Sequence, residues 1–413
     1  MSQTTPAHDL VVFGATSFVG QILVRYLADE FGTRGRLRWA IAGRSRSKLE
    51  SLRESLGSAA AKLPIVVADA ADGPALRAMC ESTRVVVSTV GPYALYGEPL
   101  VQACAETGTD YCDLTGEPQF IRRMVDRYEA TARKSGAHIV HCCGFDSMPS
   151  DLGVRLLQKE ARKRFGRPFP RIKMRVKHMS GGFSGGTVAS AMNAFREAAA
   201  DPAMRKELAN PYSLCPLGHG SKVRQPNVKF AEYDPDFRAW VAPFVMAAIN
   251  VRIVHRSNAL SESAYGADFK YDEAVLTGDG LRGRALASGI ATGLGGFALA
   301  AGIPPLRSAL ERFVLPAPGE GPSPEAQKKG RYDLRFYGST EDGKSLRLKV
   351  TGKGDPGYGS TSKMLGQAAA WLALELPKRK VRGGFWTPAT IFDDEFIDRL
   401  VEHAGMTFEI SGD

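Results

Sequence analysis

The chain has 413 residues, 44% of them hydrophobic and 24% charged, the balance of a folded protein with material for two or three cores, which excludes disorder. A formal charge of +10 suits an anionic cofactor or lipid surface, but there is no helix-turn-helix, zinc-finger or RNA-binding signature, so nucleic acid is not expected as a partner. Six cysteines without a CxxC pair read as reduced thiols, no metal site is expected, and the polar stretch Met1 to Asp9 carries no secretory-signal pattern; the expected location is the cytoplasm.

Leu10-Val11-Val12-Phe13 reads as a short strand, Gly14 as a turn, and Val19, Ile22, Leu23, Tyr26 and Leu27 as one face of a helix. In such a unit the first glycine makes the tight turn, the last lets helix pack close to strand, and the free N–H groups at the helix start receive a pyrophosphate. Gly14, Ala15, Thr16, Ser17, Phe18, Val19 and Gly20 are thus candidate cofactor residues, with Ser17 where a middle glycine is usual; the competing reading is an ordinary strand-to-helix turn. A second strand, Leu37 to Gly43, ends in Arg44 and Ser45, with Lys48 close behind. An acid at that position would favour NAD, whereas an arginine accommodates the 2′-phosphate of NADP, so NADP is the expected cofactor. Strands at Pro64 to Ala68 and Val85 to Val90 follow. Their carboxyl ends put Asp69 near an adenine edge, and Val90, Gly91, Pro92 and Tyr93 near the ribose and nicotinamide.

Continuous apolar strands alternating with helices predict an α/β fold, a Rossmann-type doubly wound parallel sheet. Helices are expected at Glu98 to Glu106 and Glu117 to Ser135, with strands at Tyr111 to Leu114 and His138 to Cys143. The last strand runs into Gly144, Phe145, Asp146, Ser147, Met148 and Pro149, a loop capped by Ser150 or Asp151. Beyond residue 160 the period falls to two. Arg171 to Lys177 reads as an antiparallel strand whose cationic face is solvated or anion-facing, the solvated reading being preferred; Gly181 to Thr187 is either an anion-accepting start of a helix through Ala200 or a flexible turn, and Val251 to His255, Phe269 to Tyr271, Tyr332 to Tyr337 and Leu346 to Val350 are further strands. Leu315 to Gly330 reads as a loop, and Thr361 to Leu376 and Asp393 to His403 as helices. Ala285 to Leu306 holds no charge, is flanked by Arg284 and Arg307 and is long enough to span a bilayer; a core helix, a homodimer contact or a peripheral membrane contact at the inner face of the plasma membrane is preferred over a true span, because the stretch is rich in Gly and Ala.

Gly14 to Gly20, Ala42-Gly43-Arg44, Val90 to Tyr93, Tyr111 to Glu117, Gly144 to Asp151, Asp355 to Gly359 and Gly384 to Ala389 together resemble the saccharopine dehydrogenase-like oxidoreductases, in particular the lipid-associated branch with trans-acting enoyl reductases. The resemblance implies an NADP-binding Rossmann domain (1–150), an inserted α+β domain with a mostly antiparallel sheet (151–360), and C-terminal helices (361–413) packing back on the first. It also implies an NADPH-dependent enoyl reductase acting on an acyl or polyketide-type lipid intermediate, carrier- or CoA-bound. No tyrosine has a lysine four residues later, which excludes the short-chain dehydrogenase proton donor. Tyr93, Asp146 and Ser147 are the catalytic candidates, with His141 and His178 behind them. Gly144, Phe145 and Asp146 join the cofactor candidates. Two other readings stay open: a saccharopine-type dehydrogenase, whose polycarboxylate substrate would need the Arg171 to Lys177 face, and a non-catalytic NADP-binding protein.

Overall fold

The computed structural model describes residues 6–181, 190, 192–193, 196–197, 201–313, 321–376 and 381–412. β1 (His8–Phe13), β2 (Trp39–Gly43), β3 (Ile65–Val67), β4 (Thr83–Ser88), β5 (Asp110–Asp113) and β6 (His138–Val140) alternate with α1 (Phe18–Phe31), α2 (Arg46–Ser55), α3 (Gly73–Glu81), α4 (Glu98–Thr107) and α5 (Pro118–Ser135). The strands pair in parallel in the order β6-β5-β4-β1-β2-β3, so the order reverses between β1 and β4. Strand residues alternate between two cores. Leu10, Val12, Ile41, Val85 and Val87 face one, and Val11, Phe13, Ala40, Ala42 and Val86 the other. Each valine, leucine, isoleucine or phenylalanine among them contributes about 1.5–3 kcal/mol by leaving water, which is why both faces of this sheet read as apolar.

α6 (Met148–Phe165) leads into a second sheet built from β7 (Arg171–Ser180), β8 (Glu232–Asp234), β9 (Ala239–Pro243), β10 (Lys270–Gly278), β11 (Arg331–Ser339) and β12 (Ser345–Lys353). α7 (Ala247–Leu260) lies between β9 and β10, and α8 (Gly280–Gly302) and α9 (Pro304–Phe313) between β10 and β11. α10 (Thr361–Leu374), β13 (Gly384–Trp386), α11 (Asp394–Ala404) and β14 (Met406–Gly412) complete the chain. The second sheet runs β14-β12-β11-β7-β10-β9-β8 and is antiparallel except for β7 with β10. β11 and β12 alternate buried and half-buried residues, the period-two pattern expected of them. The C-terminal segment serves both sheets: α10 packs on α1, β4 and β5, β13 adds a parallel strand beside β6, and β14 joins β12.

Several expectations are corrected. Val251 to His255 is not a strand but the middle of α7, a helix buried almost all round from Arg252 to Asn258; burial on every side erases the periodicity that separates the two choices. The cationic face of β7 is not solvated at its first half. Lys173 and Arg175 are buried, with Lys173 Nζ 3.0 Å from Asp234 and 2.5 Å from Asp236, and Arg175 2.8 Å from Asp234 and 2.7 Å from Asp272. Pro324–Lys329 forms a helix capped by Ser323 inside the expected loop; residues 315–320 of that loop, and 182–189 of the expected glycine-rich helix start, lie outside the described residues. α6 begins one turn early, with Ser147 at the capping position and Ser150 and Asp151 inside its first turn, because Pro149 fits there without losing a hydrogen bond.

Candidate active site

The dinucleotide turn follows from two glycines. Gly14 has φ +83°, and a Cβ there would sit 2.7 Å from Val90 Cγ2; a Cβ at Gly20 would sit 2.2 Å from the Gly14 carbonyl oxygen. Both positions therefore demand a missing side chain, one for the turn and one for the approach of α1 to β1. Ser17 is the cap of α1, accepting from the Gly20 N–H at 2.9 Å. Thr89 gives its hydroxyl proton to the Gly14 carbonyl at 2.9 Å, so the 3.0 Å bond between Ser17 and Thr89 has Ser17 as donor. Ser17 thus does with a side chain what a glycine there could not, tying the turn to the end of β4. Ala15 is buried, while Thr16, Phe18 and Val19 are half-buried. Phe18 meets Tyr358 edge-on at 5.1 Å, which brings the Asp355 to Gly359 motif over the turn.

At the end of β2, Arg44 and Lys48 are exposed and Ser45 caps α2 through the Lys48 N–H at 3.4 Å. Among residues 43–48 there is no carboxylate, so nothing there repels a 2′-phosphate. Asp69 is exposed at the end of β3 and accepts from the Ala71 N–H at 2.9 Å. Val90, Gly91 and Pro92 line the β4 edge, with a cis Gly91–Pro92 peptide. These features fit NADP(H): a backbone cradle that a Cβ would fill, a helix start, and exposed cations at the second strand.

Tyr93 takes a different place from the one a proton donor needs. It is buried against Phe120, its hydroxyl donates to the Ser88 carbonyl at 2.9 Å, and burial, with the Asp113 charge behind it, pushes its pKa well above the ordinary value. Its N–H and that of Ala94 donate to Glu117, both at 2.9 Å, and Ser190 donates to the same carboxylate at 2.8 Å. Glu117 thereby holds the Pro92–Ala94 corner.

Asp113 gathers the ends of β5 and β6. Its carboxylate accepts from the Tyr111 hydroxyl (2.9 Å) and from the N–H groups of Thr115 (3.1 Å) and Cys142 (3.2 Å), and pairs with His141 Nδ1 at 2.7 Å. His141 is therefore part of a buried anchor, and His178 is exposed on β7, outside this cluster. Cys142 takes a left-handed φ of 62°, rare for a side-chain-bearing residue, and this bend launches the Gly144 to Ser147 loop. Thr361 pins the loop by accepting from the Phe145 N–H at 2.9 Å, and a Cβ at Gly144 would lie 2.9 Å from Thr361 Cγ2. Phe145 packs on Tyr332 at 4.8 Å.

On this loop Asp146 stands apart. It is half-buried and makes no hydrogen bond among the described residues; its Oδ2 lies 3.6 Å, and Met246 Cε 3.8 Å, from where a Cβ on Gly116 would be. Burial, and secondly the charge of Asp113, push its pKa up to about 7. Half-buried Met246 and the exposed Val245 beside it, before α7, give the same edge an apolar lip. Ser147 is fully buried and donates to Asn250 at 3.0 Å; Asn250 in turn donates to Ser150 at 3.2 Å and to Glu273 at 2.8 Å. Ser147 thus fixes the loop to α7, leaving Asp146 as the candidate acid with a free edge. Asp113, Glu117, Asn250 and Glu273 were not singled out from sequence. The first two were legible as paired acids in Tyr111 to Glu117 at a strand end; the last two depend on tertiary neighbours alone.

A cavity of about 300 Å³ beside Arg171, Lys173, Arg175, Tyr233, Asp234 and Asp272 lies apart from these residues, and its cations are already paired with carboxylates. The strand-edge crevice is assigned as the site on its chemistry.

Residues 10–140 match the family model of the saccharopine dehydrogenase NADP binding domain. A Mycobacterium tuberculosis protein provisionally named a trans-acting enoyl reductase is 41% identical over 409 residues, covering 97% of each chain. A trans-acting enoyl reductase of Mycobacterium bovis is 37% identical over 413 residues, again covering 97% of each. Among solved structures, apo saccharopine dehydrogenase (L-Glu forming) from Saccharomyces cerevisiae aligns over 98% of this chain and 99% of that one, with a TM-score of 0.57 and 13% identity, a likeness of fold.

Proposed function

The chain belongs to the family of trans-acting enoyl reductases, and from that premise we propose that it is an NADPH-dependent reductase of the C=C bond of an acyl or polyketide-type chain, held as a carrier- or CoA-bound thioester. The observation that carries the reading is Asp146, a carboxyl with no hydrogen-bond partner among the described residues, next to an apolar lip and carrying its proton up to about pH 7.

NADPH, when bound, supplies the hydride for the double bond. The turn Gly14 to Gly20, Arg44 and the Val90 to Pro92 edge are the residues that would hold it. Reduction of an enoyl thioester also requires a proton at the neighbouring carbon. Asp146, whose carboxyl keeps its proton up to about pH 7, is the group that can give one, and general acid catalysis of this kind contributes about 10²–10⁴-fold. Ser147 and Thr361 keep the loop in place, and Val245 and Met246 provide apolar surface for a chain that has no charge of its own. Cytoplasmic location remains part of the proposal.

The saccharopine-type alternative is disfavoured. A substrate with several carboxylates needs unpaired cations, and Arg171, Lys173 and Arg175 are matched by Asp234, Asp236 and Asp272. The test is NADPH oxidation with enoyl thioesters of increasing length. Turnover is expected, and Asp146→Asn is expected to lower kcat about 10²–10⁴-fold with NADPH affinity retained. Inert acyl substrates alongside turnover of an imine or amino acid would overturn the reading.

A further inference from the structure

Helix α8 is apolar around its whole circumference from Ala285 to Gly302, yet the only buried residues along it are Gly283, Ala287 and Ala301. Leu286 is 55% and Leu299 71% exposed, and Ile303 and Leu306 continue the apolar surface into α9. A helix hydrophobic on all sides belongs inside a protein or inside a lipid phase, and this one is not inside the protein. Its glycines point the same way. Gly289, Gly293, Gly295, Gly296 and Gly302 face open space, where they weaken a helix in water, whereas glycine is common in helices bathed in lipid. No carboxylate occurs between Gly280 and Leu310, while Arg282 and Arg284 sit at one end of the apolar run and Arg307 at the other. That charge pattern matches an anionic lipid surface, on a chain whose formal charge is +10.

The ends of the excursion decide how lipid would be met. α8 starts at the end of β10 and packs on β9 and β10. After α9 the chain is back at the dinucleotide turn, because a Cβ at Gly321 would lie 2.4 Å from the Phe18 ring. Twenty-three residues of helix run about 35 Å, enough to cross a bilayer core of about 30 Å, but α9, at ten residues, runs only about 15 Å. Both ends of the excursion therefore sit on one folded body, and α9 by itself is too short for a second crossing. An element so tied lies in the interface with its apolar surface sunk among the acyl chains.

We propose that α8 and α9 are a monotopic docking surface for an anionic bilayer, holding the cofactor turn to which the excursion returns close to the lipid from which an acyl substrate enters; the substrate clause rests on the enoyl reductase reading, the docking does not. Because both termini of the excursion belong to this body, docking leaves the two sheets outside the bilayer.

The experiment is co-sedimentation of the full chain with phosphatidylcholine vesicles containing about one-third phosphatidylglycerol, against pure phosphatidylcholine, comparing wild type with Leu286→Glu/Leu299→Glu and with Arg282→Gln. Melting temperature and NADPH affinity serve as fold controls. Expected are binding to the anionic vesicles, weakened by salt and by Arg282→Gln, a loss of about tenfold or more in the double variant, and unchanged reduction of a short water-soluble enoyl thioester. Absence of sedimentation or equal sedimentation of the double variant would overturn the proposal. So would a homodimer that the double variant dissociates, since a second copy would then cover the face. Failure to reduce the soluble thioester while vesicle binding persists sinks the enoyl reductase reading alone.

Discussion

Asp146 owes its chemistry to its surroundings more than to being an aspartate. Removal from water favours the neutral carboxyl, and Asp113 adds a like charge in the same direction, so the proton is kept up to about pH 7. The rate of an acid-dependent step should therefore be level at low pH and fall tenfold per unit once Asp146 ionises, with a midpoint near 7 in the kcat profile. Asp113→Asn removes the like charge and should move that midpoint down, by up to about a unit; a profile unmoved in the variant would separate Asp113 from the acid. The Gly-Phe-Asp-Ser run flagged Asp146 in the sequence. What the sequence could not say is that Tyr93, equally well placed along the chain, spends its hydroxyl on the Ser88 carbonyl. Partners of a hydroxyl are set by neighbours distant in sequence, and residue type alone does not distinguish the two fates.

At the scale of elements, β7 shows how an alternating pattern leaves the environment of its polar face undecided. Arg171, Lys173, Arg175 and Lys177 occupy equivalent positions, yet Arg175 is buried between Asp234 and Asp272 while Lys177 is exposed. Arg175→Ala removes one partner from each of two buried carboxylates, leaving Asp234 to Lys173 and Asp272 to Arg171, and should cost about 1.5–3 kcal/mol in denaturant unfolding. Lys177→Ala should stay within about 0.5 kcal/mol; equal effects would show that burial does not set the energetics of this strand. α7 makes a related point, since its run Val251 to His255 satisfies strand and helix alike by composition. Packing against α6 and β10 selects the helix.

At the scale of the whole molecule, the Ser147–Asn250–Glu273 chain joins the loop of the first sheet to α7 and to β10 of the second. Burial pushes Glu273 up to about 7 from 4.5. A carboxyl with a raised folded pKa stabilises the fold fully below its unfolded pKa, and the contribution is lost as pH rises towards and through about 7. Glu273→Gln, which stays neutral, should therefore gain in melting temperature relative to wild type between pH 5 and pH 8; a difference independent of pH would mean that Glu273 does not titrate in this window. The sequence by itself determined the parallel sheet, the dinucleotide turn and the loop carrying Asp146, because continuous apolar strands, a glycine turn and a strand-end motif are local patterns enforced by short-range sterics and by burial on both sides. Only the tertiary structure decided which polar groups are spent on the fold and which are left with a free edge. It also decided that the apolar run from Ala285 is an exposed helix whose chain returns to Phe18. Charge pairing, burial and the path of an excursion are relations between residues far apart in the chain, and the same local sequence is compatible with several of them.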